Sequence, residues 1–235
     1  MSTTVLHYLY DPLCGWCYGA APLVEAARAI PGLRVELHGG GMMSGANRQP
    51  VSAALRNYVM PHDHRIAALT GQAFGEAYFD GLLRDTGAVF DSTPPTTAIL
   101  AAEALGGRGA DLLKRIQIAH YVEGRRIADT DVLGQLAIDI GLDPADFAAE
   151  FARQEGAATQ AHIAASRHLL GQVGGRGFPT FALQQGDVLT QLDAGRFFGQ
   201  PSAWRSYLER QGRPTLAEAP AAEAQPGCAN GSCAI

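Results

Sequence analysis

Hydrophobic and polar positions divide the chain into stretches of different period. Residues 4–10 are β-branched, aromatic and leucine-rich, and they stop at Asp11-Pro12. A run that short, bounded by turn residues, predicts a strand buried on both faces. After Cys14, Leu23, Val24, Ala27 and Ile30 recur at helical spacing until Pro31-Gly32 ends the pattern. Leu33 to His38 then alternates apolar with polar residues and is closed by Gly39-Gly40-Gly41, which predicts a second strand. Strand, crossover helix and strand together form the unit of a right-handed parallel pair.

From residue 42 to residue 173 the period is helical almost throughout. Tyr78, Phe79, Leu82 and Leu83 form one stripe; Leu112, Leu113, Ile116 and Ala119 form another. Thr130 is expected to cap a helix carrying Val132, Leu133 and Leu136. Asp143-Pro144 pairs an N-cap with a first-turn proline, ahead of Phe147 and Phe151. Ile163, Leu169 and Leu170 face inward on a last long helix, whereas His62 and His64 fall in a loop-like stretch. These stripes read as core and carry no chemistry. Past Gly174-Gly175-Arg176-Gly177 the strand signal returns at residues 179–183, followed by a turn at Gln185-Gly186 and a hairpin partner over 187–192. A closing helix over about 201–211 presents Trp204, Tyr207 and Leu208. The expected fold class is α/β: a small mixed sheet with a large α-helical insertion between its second and third strands.

Composition narrows the function. Of 235 residues, 47% are hydrophobic, and the net charge of −5 comes with no basic block. Nucleic acid and anionic membrane are therefore not expected as partners. No run of roughly 18 apolar residues is present to span a bilayer. Met1-Ser2-Thr3-Thr4 leads straight into the first strand, without the charged start, apolar core and cleavage site of a secretory signal, so a cytoplasmic location is expected. In that compartment paired cysteines indicate redox chemistry or metal binding more often than a structural disulfide.

Cys14-Gly15-Trp16-Cys17 lies where the first strand gives way to a helix. The first turn of a helix has unpaired N–H groups and a partial positive charge, which favour a thiolate at Cys14. Cys17, one turn further in, is close enough to bridge to it and resolve a mixed disulfide. A zinc half-site or a pair of inert core cysteines is the competing reading, but zinc needs further ligands and no histidine pair follows at finger-like spacing. Trp16 either offers an apolar face to a substrate or packs on a neighbour. No cofactor and no metal are expected at this site.

The segment Asp11-Pro12-Leu13-Cys14-Gly15-Trp16-Cys17-Tyr18-Gly19 resembles the active-site segment of the DsbA family of thioredoxin-fold oxidoreductases. Gly177-Phe178-Pro179-Thr180-Phe181 resembles that family's cis-proline loop. The likeness covers about residues 4–211 and is greatest to the cytosolic FrnE-like group. It implies a thioredoxin-like domain from residues 1–41 and 174–212, with 42–173 as a helical insertion domain. It also implies Cys14 as attacking thiol, Cys17 as resolving thiol and Pro179 as a cis-proline, with the backbone near Phe178 and the face of Trp16 binding substrate. One departure stands out. The buried acid that such folds often carry six residues before the attacking cysteine is here Tyr8, a poor proton acceptor near neutral pH. His7, Asp11 and Glu36 are the nearby alternatives, each also readable as a surface or structural residue.

Residues 213–227, rich in Ala, Pro and Glu, read as a flexible linker leading to Cys228 and Cys233, a C-x4-C tail. A coil of that length reaches about 20 Å, so the tail is a candidate dithiol relay to Cys14; incidental thiols and a soft-metal site are the alternatives. The leading function is thiol–disulfide exchange on protein or small-molecule disulfides, with a thiol reductant or oxidant for recycling. A glutathione-dependent isomerase or transferase similar to the kappa class is a second reading, although those enzymes typically use serine at the active position. A soft-metal-binding or chaperone-like protein is a third.

Overall fold

The computed structural model describes residues 4–211. Strand β1 (Thr4–Tyr10) is buried from Val5 onward and runs parallel to β2 (Leu33–Gly39). The helix between them is broken into α1 (Gly15–Gly19) and α2 (Ala21–Arg28). The break has a local cause. Pro22 has no N–H to give to the Tyr18 carbonyl one turn back, and that carbonyl accepts from the Gln72 side chain at 3.0 Å instead.

The chain then leaves the sheet through β3 (Gln49–Pro50), α3 (Ala53–Thr70), β4 (Val89–Phe90), α4 (Thr93–Ala104), α5 (Gly109–Tyr121), α6 (Thr130–Asp139), α7 (Pro144–Gln154) and α8 (Ala157–Gln172). It returns as β5 (Thr180–Gln185) and β6 (Val188–Leu192) and finishes in α9 (Pro201–Gln211). The sheet order is β2-β1-β5-β6, with β5 antiparallel to both β1 and β6. This is a thioredoxin-like α/β fold with a large helical block between the second and third strands of its sheet.

The helical block departs from the sequence reading in four places. Its helices are interrupted by the two-residue pair β3 and β4, which run antiparallel. Tyr78, Phe79, Leu82 and Leu83 lie not on an α-helix but on a π turn (Ala77–Gly81) followed by a 3-10 turn (Leu82–Arg84), which still buries Tyr78, Leu82 and Leu83. His62 and His64 sit inside α3, which runs through Pro61. The N-cap of α6 is Asp129, one residue before the expected Thr130, and its side chain makes no capping hydrogen bond. Asp143 does cap α7, accepting from Ala145 N and Asp146 N at 2.9 and 3.0 Å.

The core lies under both faces of the sheet. Tyr8 stacks on Phe181 with ring centroids 4.7 Å apart, and Trp204 of α9, fully buried, meets Phe181 edge-on at 5.4 Å. These contacts pin α9, which packs along α2, to the centre of the sheet. No helix among the described residues is long and apolar enough to cross a membrane.

Candidate active site

The site begins where β1 ends. Asp11 is fully buried and its carboxylate gathers three segments. Oδ1 accepts from Leu13 N at 2.9 Å and from Ser92 Oγ at 2.8 Å, and Oδ2 accepts from Met42 N at 2.5 Å. Cys14 N donates to Asp11 O at 3.1 Å, closing the turn that delivers Cys14 to the N-cap of α1. Arg167, from α8, donates to Gly40 O and Gly41 O at 2.8 and 2.5 Å and fixes the chain leaving β2 beside this turn.

Cys14 and Cys17 are both buried and not joined by a disulfide. As N-cap of α1, Cys14 makes no side-chain capping bond; its thiol donates to Phe178 O at 3.4 Å. Cys17 is completely enclosed one turn in. Burial pushes the Cys17 thiol well up, and a hydrogen bond to Cys14 together with the charge there push it the same way. The arrangement therefore holds the Cys14 sulfur against the Phe178 carbonyl and a protonated thiol behind it.

The Phe178–Pro179 peptide is cis. Phe178 and Pro179 line one side of an open groove of about 460 Å³, and Trp16 and Phe198 line another, with Gln191 and Asp193 supplying polar groups. Trp16 is half-buried, stacks on Phe198 at 5.5 Å and has the Arg65 guanidinium 5.8 Å from its ring. Packing and groove lining, set against each other as readings of the sequence, meet in the same ring. Gly40 has a separate job here: a Cβ built on it stands 2.0 Å from Cζ of Phe178, so only glycine admits the tip of that ring where it lies.

A model of the DSBA-like thioredoxin domain matches residues 5–202. The chain belongs to that family. It is similar to the cytosolic disulfide reductase DsbM from Pseudomonas aeruginosa, at 61% identity and TM-score 0.84, over 88% of this chain and 98% of that one. The same reductase with GSH matches at 60% identity and TM-score 0.82, with the same coverage. A candidate protein disulfide isomerase from Nitrosomonas europaea matches at 25% identity and TM-score 0.73, over 88% of this chain and 97% of that one. Among curated proteins, none matches. This DSBA-like protein is a thiol–disulfide oxidoreductase.

The residues weighed in place of the family's missing acid separate cleanly in this DSBA-like chain. Tyr8 is buried under Cys17, and its hydroxyl donates to Cys17 O at 3.1 Å. Burial first, then the nearby cysteine charges, push that phenol well above its ordinary range, which leaves it a structural donor. Asp11 is a structural acceptor; burial raises it to about 6 against the lowering effect of its three hydrogen bonds. His7 alternates with Tyr8 and faces the other side of the sheet, as does Glu36, its register partner on β2.

Asp63, which no motif marked, is the carboxyl that meets the cysteine helix from the helical block. It is 4% exposed, and burial raises it to about 7 although Tyr78 OH donates to its Oδ2 at 2.9 Å. A Cβ on Gly15 would stand 2.6 Å from Asp63 Oδ1. The glycine between the cysteines thus admits α3 against α1. Spacing along the sequence carries no signal of this contact. Residues 212–235, with Cys228 and Cys233, lie outside the described residues.

Proposed function

We propose that this chain is a cytoplasmic disulfide reductase in which Cys14 attacks and Cys17 resolves, with a small thiol such as glutathione restoring the reduced pair. The observation that carries this reading is the position of Cys14, at the N-cap of α1 and against the carbonyl of Phe178, a groove-lining residue, with Cys17 enclosed behind it. The Cys14 thiolate attacks one sulfur of a substrate disulfide and forms a mixed disulfide, and the other substrate sulfur leaves as a thiol after taking up a proton. The Cys17 thiol then loses its proton and attacks Cys14 Sγ. The second substrate thiol leaves, and a Cys14–Cys17 disulfide remains. Two equivalents of small thiol reduce that disulfide and end as one small-molecule disulfide, so electrons balance. The groove beside Trp16, Phe178 and Pro179 is the proposed seat of the substrate. The backbone at Phe178 and the groove's aromatic walls suit an extended peptide or a glutathionyl group.

The direction and the small thiol are supported by the likeness to a disulfide reductase and to its form with GSH. A kappa-class type of transfer is less well supported, because a second buried cysteine stands behind the first. The test is turnover of a peptide disulfide with reduced glutathione as sole electron donor. One glutathione disulfide formed for each peptide disulfide reduced supports the reading. A chain that oxidises peptide dithiols but gives no glutathione-dependent reduction overturns it. The C-terminal Cys228 and Cys233 are proposed as a second dithiol that exchanges with the first.

A further inference from the structure

The face of the sheet turned away from the cysteines carries a second cluster of donor atoms. Tyr8 reaches Cys17 from one face, so its neighbour His7 projects from the other. The register of β1 on β2 sets His7 beside Glu36 and Leu9 beside His38, which brings both β2 side chains to the same face as His7. His7 Nδ1 is 2.9 Å from His38 Nε2 and 3.4 Å from Glu36 Oε2. His38 Nε2 is 3.9 Å from the same oxygen. Three atoms with these separations share a centre about 2.0 Å from each. Zinc binds imidazole nitrogen at about 2.0–2.1 Å and carboxylate oxygen at about 2.0–2.2 Å.

The hydrogen bonds around the cluster orient it for a cation. Gln184 Nε2 donates to Gly186 O at 3.1 Å, which turns the amide oxygen towards His7. His7 Nε2 lies 2.9 Å from that oxygen and must donate to it. The proton of neutral His7 is therefore on Nε2, and Nδ1 is an acceptor, paired with His38 Nε2 at 2.9 Å when that nitrogen carries its proton and turned towards the Glu36 carboxylate at 3.4 Å. An imidazole whose outer N–H is anchored on a carbonyl oxygen is the usual support of a metal-bound histidine. Arg34 holds the other Glu36 oxygen at 2.5 Å and leaves Oε2 to the cluster. The His7 side chain is 8% exposed and that of Glu36 34%, so the cluster opens to solvent on the Glu36 side.

We propose that His7, Glu36 and His38 form a binding site for one divalent transition-metal ion of zinc's class, with water completing the coordination. Two imidazoles and one carboxylate suit a borderline ion and not a hard one such as magnesium. The ion would clamp β2, an edge strand, to β1 at the centre of the sheet. It takes no part in disulfide exchange, since the sheet separates it from Cys14 and Cys17, and it would stabilise the folded chain by mass action.

The test uses the full chain with its cysteines oxidised, so that no thiolate competes for metal. Zinc titrated calorimetrically is expected to bind one ion per chain and to raise the unfolding temperature. The cobalt(II) form is expected to show visible ligand-field bands without thiolate charge transfer. Glu36→Gln and His38→Gln, both at partly exposed side chains, are each expected to weaken zinc binding at least about tenfold and to remove the thermal shift. Their unchanged circular dichroism and disulfide exchange would show that the fold is kept. No zinc bound at millimolar concentration overturns the proposal, and so does zinc binding that both variants leave unchanged.

Discussion

The Cys14 thiol donates to the backbone carbonyl of Phe178 at 3.4 Å, which joins the start of α1 to the segment leading into β5. That contact ties the Cys14 sulfur to a main-chain atom of a residue that lines the groove. On the proposed mechanism Cys14 is the attacking sulfur, so the position of Phe178 is expected to govern attack.

Gly40 sets that position, and Gly40→Ala is the way to disturb it without touching either cysteine. The new Cβ cannot coexist with the Phe178 ring where it lies. A displacement of about 1 Å at the reacting groups can cost about 10²-fold in rate. We expect kcat/KM for disulfide exchange to fall by roughly 10- to 100-fold while the chain stays folded. Adding Gly40→Ala to Phe178→Ala should then have little further effect, because the obstructing ring is gone. A double-mutant cycle in steady-state kinetics measures the coupling.

Tyr8 occupies the place of a family proton acceptor yet works as a peg. Tyr8→Phe removes one buried hydrogen bond to Cys17 O and should cost about 1 kcal/mol of stability in denaturant unfolding. The exchange rate should change by less than about tenfold, whereas loss of a general acid–base group typically costs about 10²- to 10⁴-fold.

Asp63 makes stability depend on pH. Burial raises it from 3.8 to about 7, so the folded chain holds this proton more tightly than the unfolded chain. Its contribution is therefore fully present below about pH 4 and is lost as pH rises to about 7. Asp63→Asn should match the parent below pH 4 and be the more stable protein above pH 7, by at most on the order of 4 kcal/mol. Urea unfolding across that range reads the difference. A parent curve that rises through this window relative to the variant would contradict the sign.

The tail is tested by Cys228→Ser combined with Cys233→Ser. If the second dithiol relays electrons, recycling should slow at limiting thiol, where a tethered dithiol at high effective concentration matters most, and recover at excess thiol. Unchanged recycling at every thiol concentration would remove the relay from the account.

How far this was legible in the sequence follows from the range of each interaction. The four strands of the main sheet, the turn at Gln185-Gly186 and the last helix rest on local period and turn residues, and they fell within a residue or two of their observed ends. Cys14 and Cys17 were legible because one helical turn sets their relation. Asp63 was not, because the approach of α3 to Gly15 is a tertiary contact with no periodic signature. The helix around His62 and His64 was hidden by Pro61, which weakens a helical signal without ending this helix. Asp11 was visible as a turn residue, but its partners Met42 and Ser92 come from segments that only the folded block brings together.

The account rests most heavily on the division of labour between the two cysteines, and trapping measures it directly. Cys17→Ser, treated with glutathione disulfide and digested for mass spectrometry, should carry one glutathione on Cys14 and release it slowly. Cys14→Ser should form no adduct at Cys17 and should lose disulfide exchange to background. An adduct on Cys17, or exchange that survives Cys14→Ser at the parent rate, would contradict the assignment.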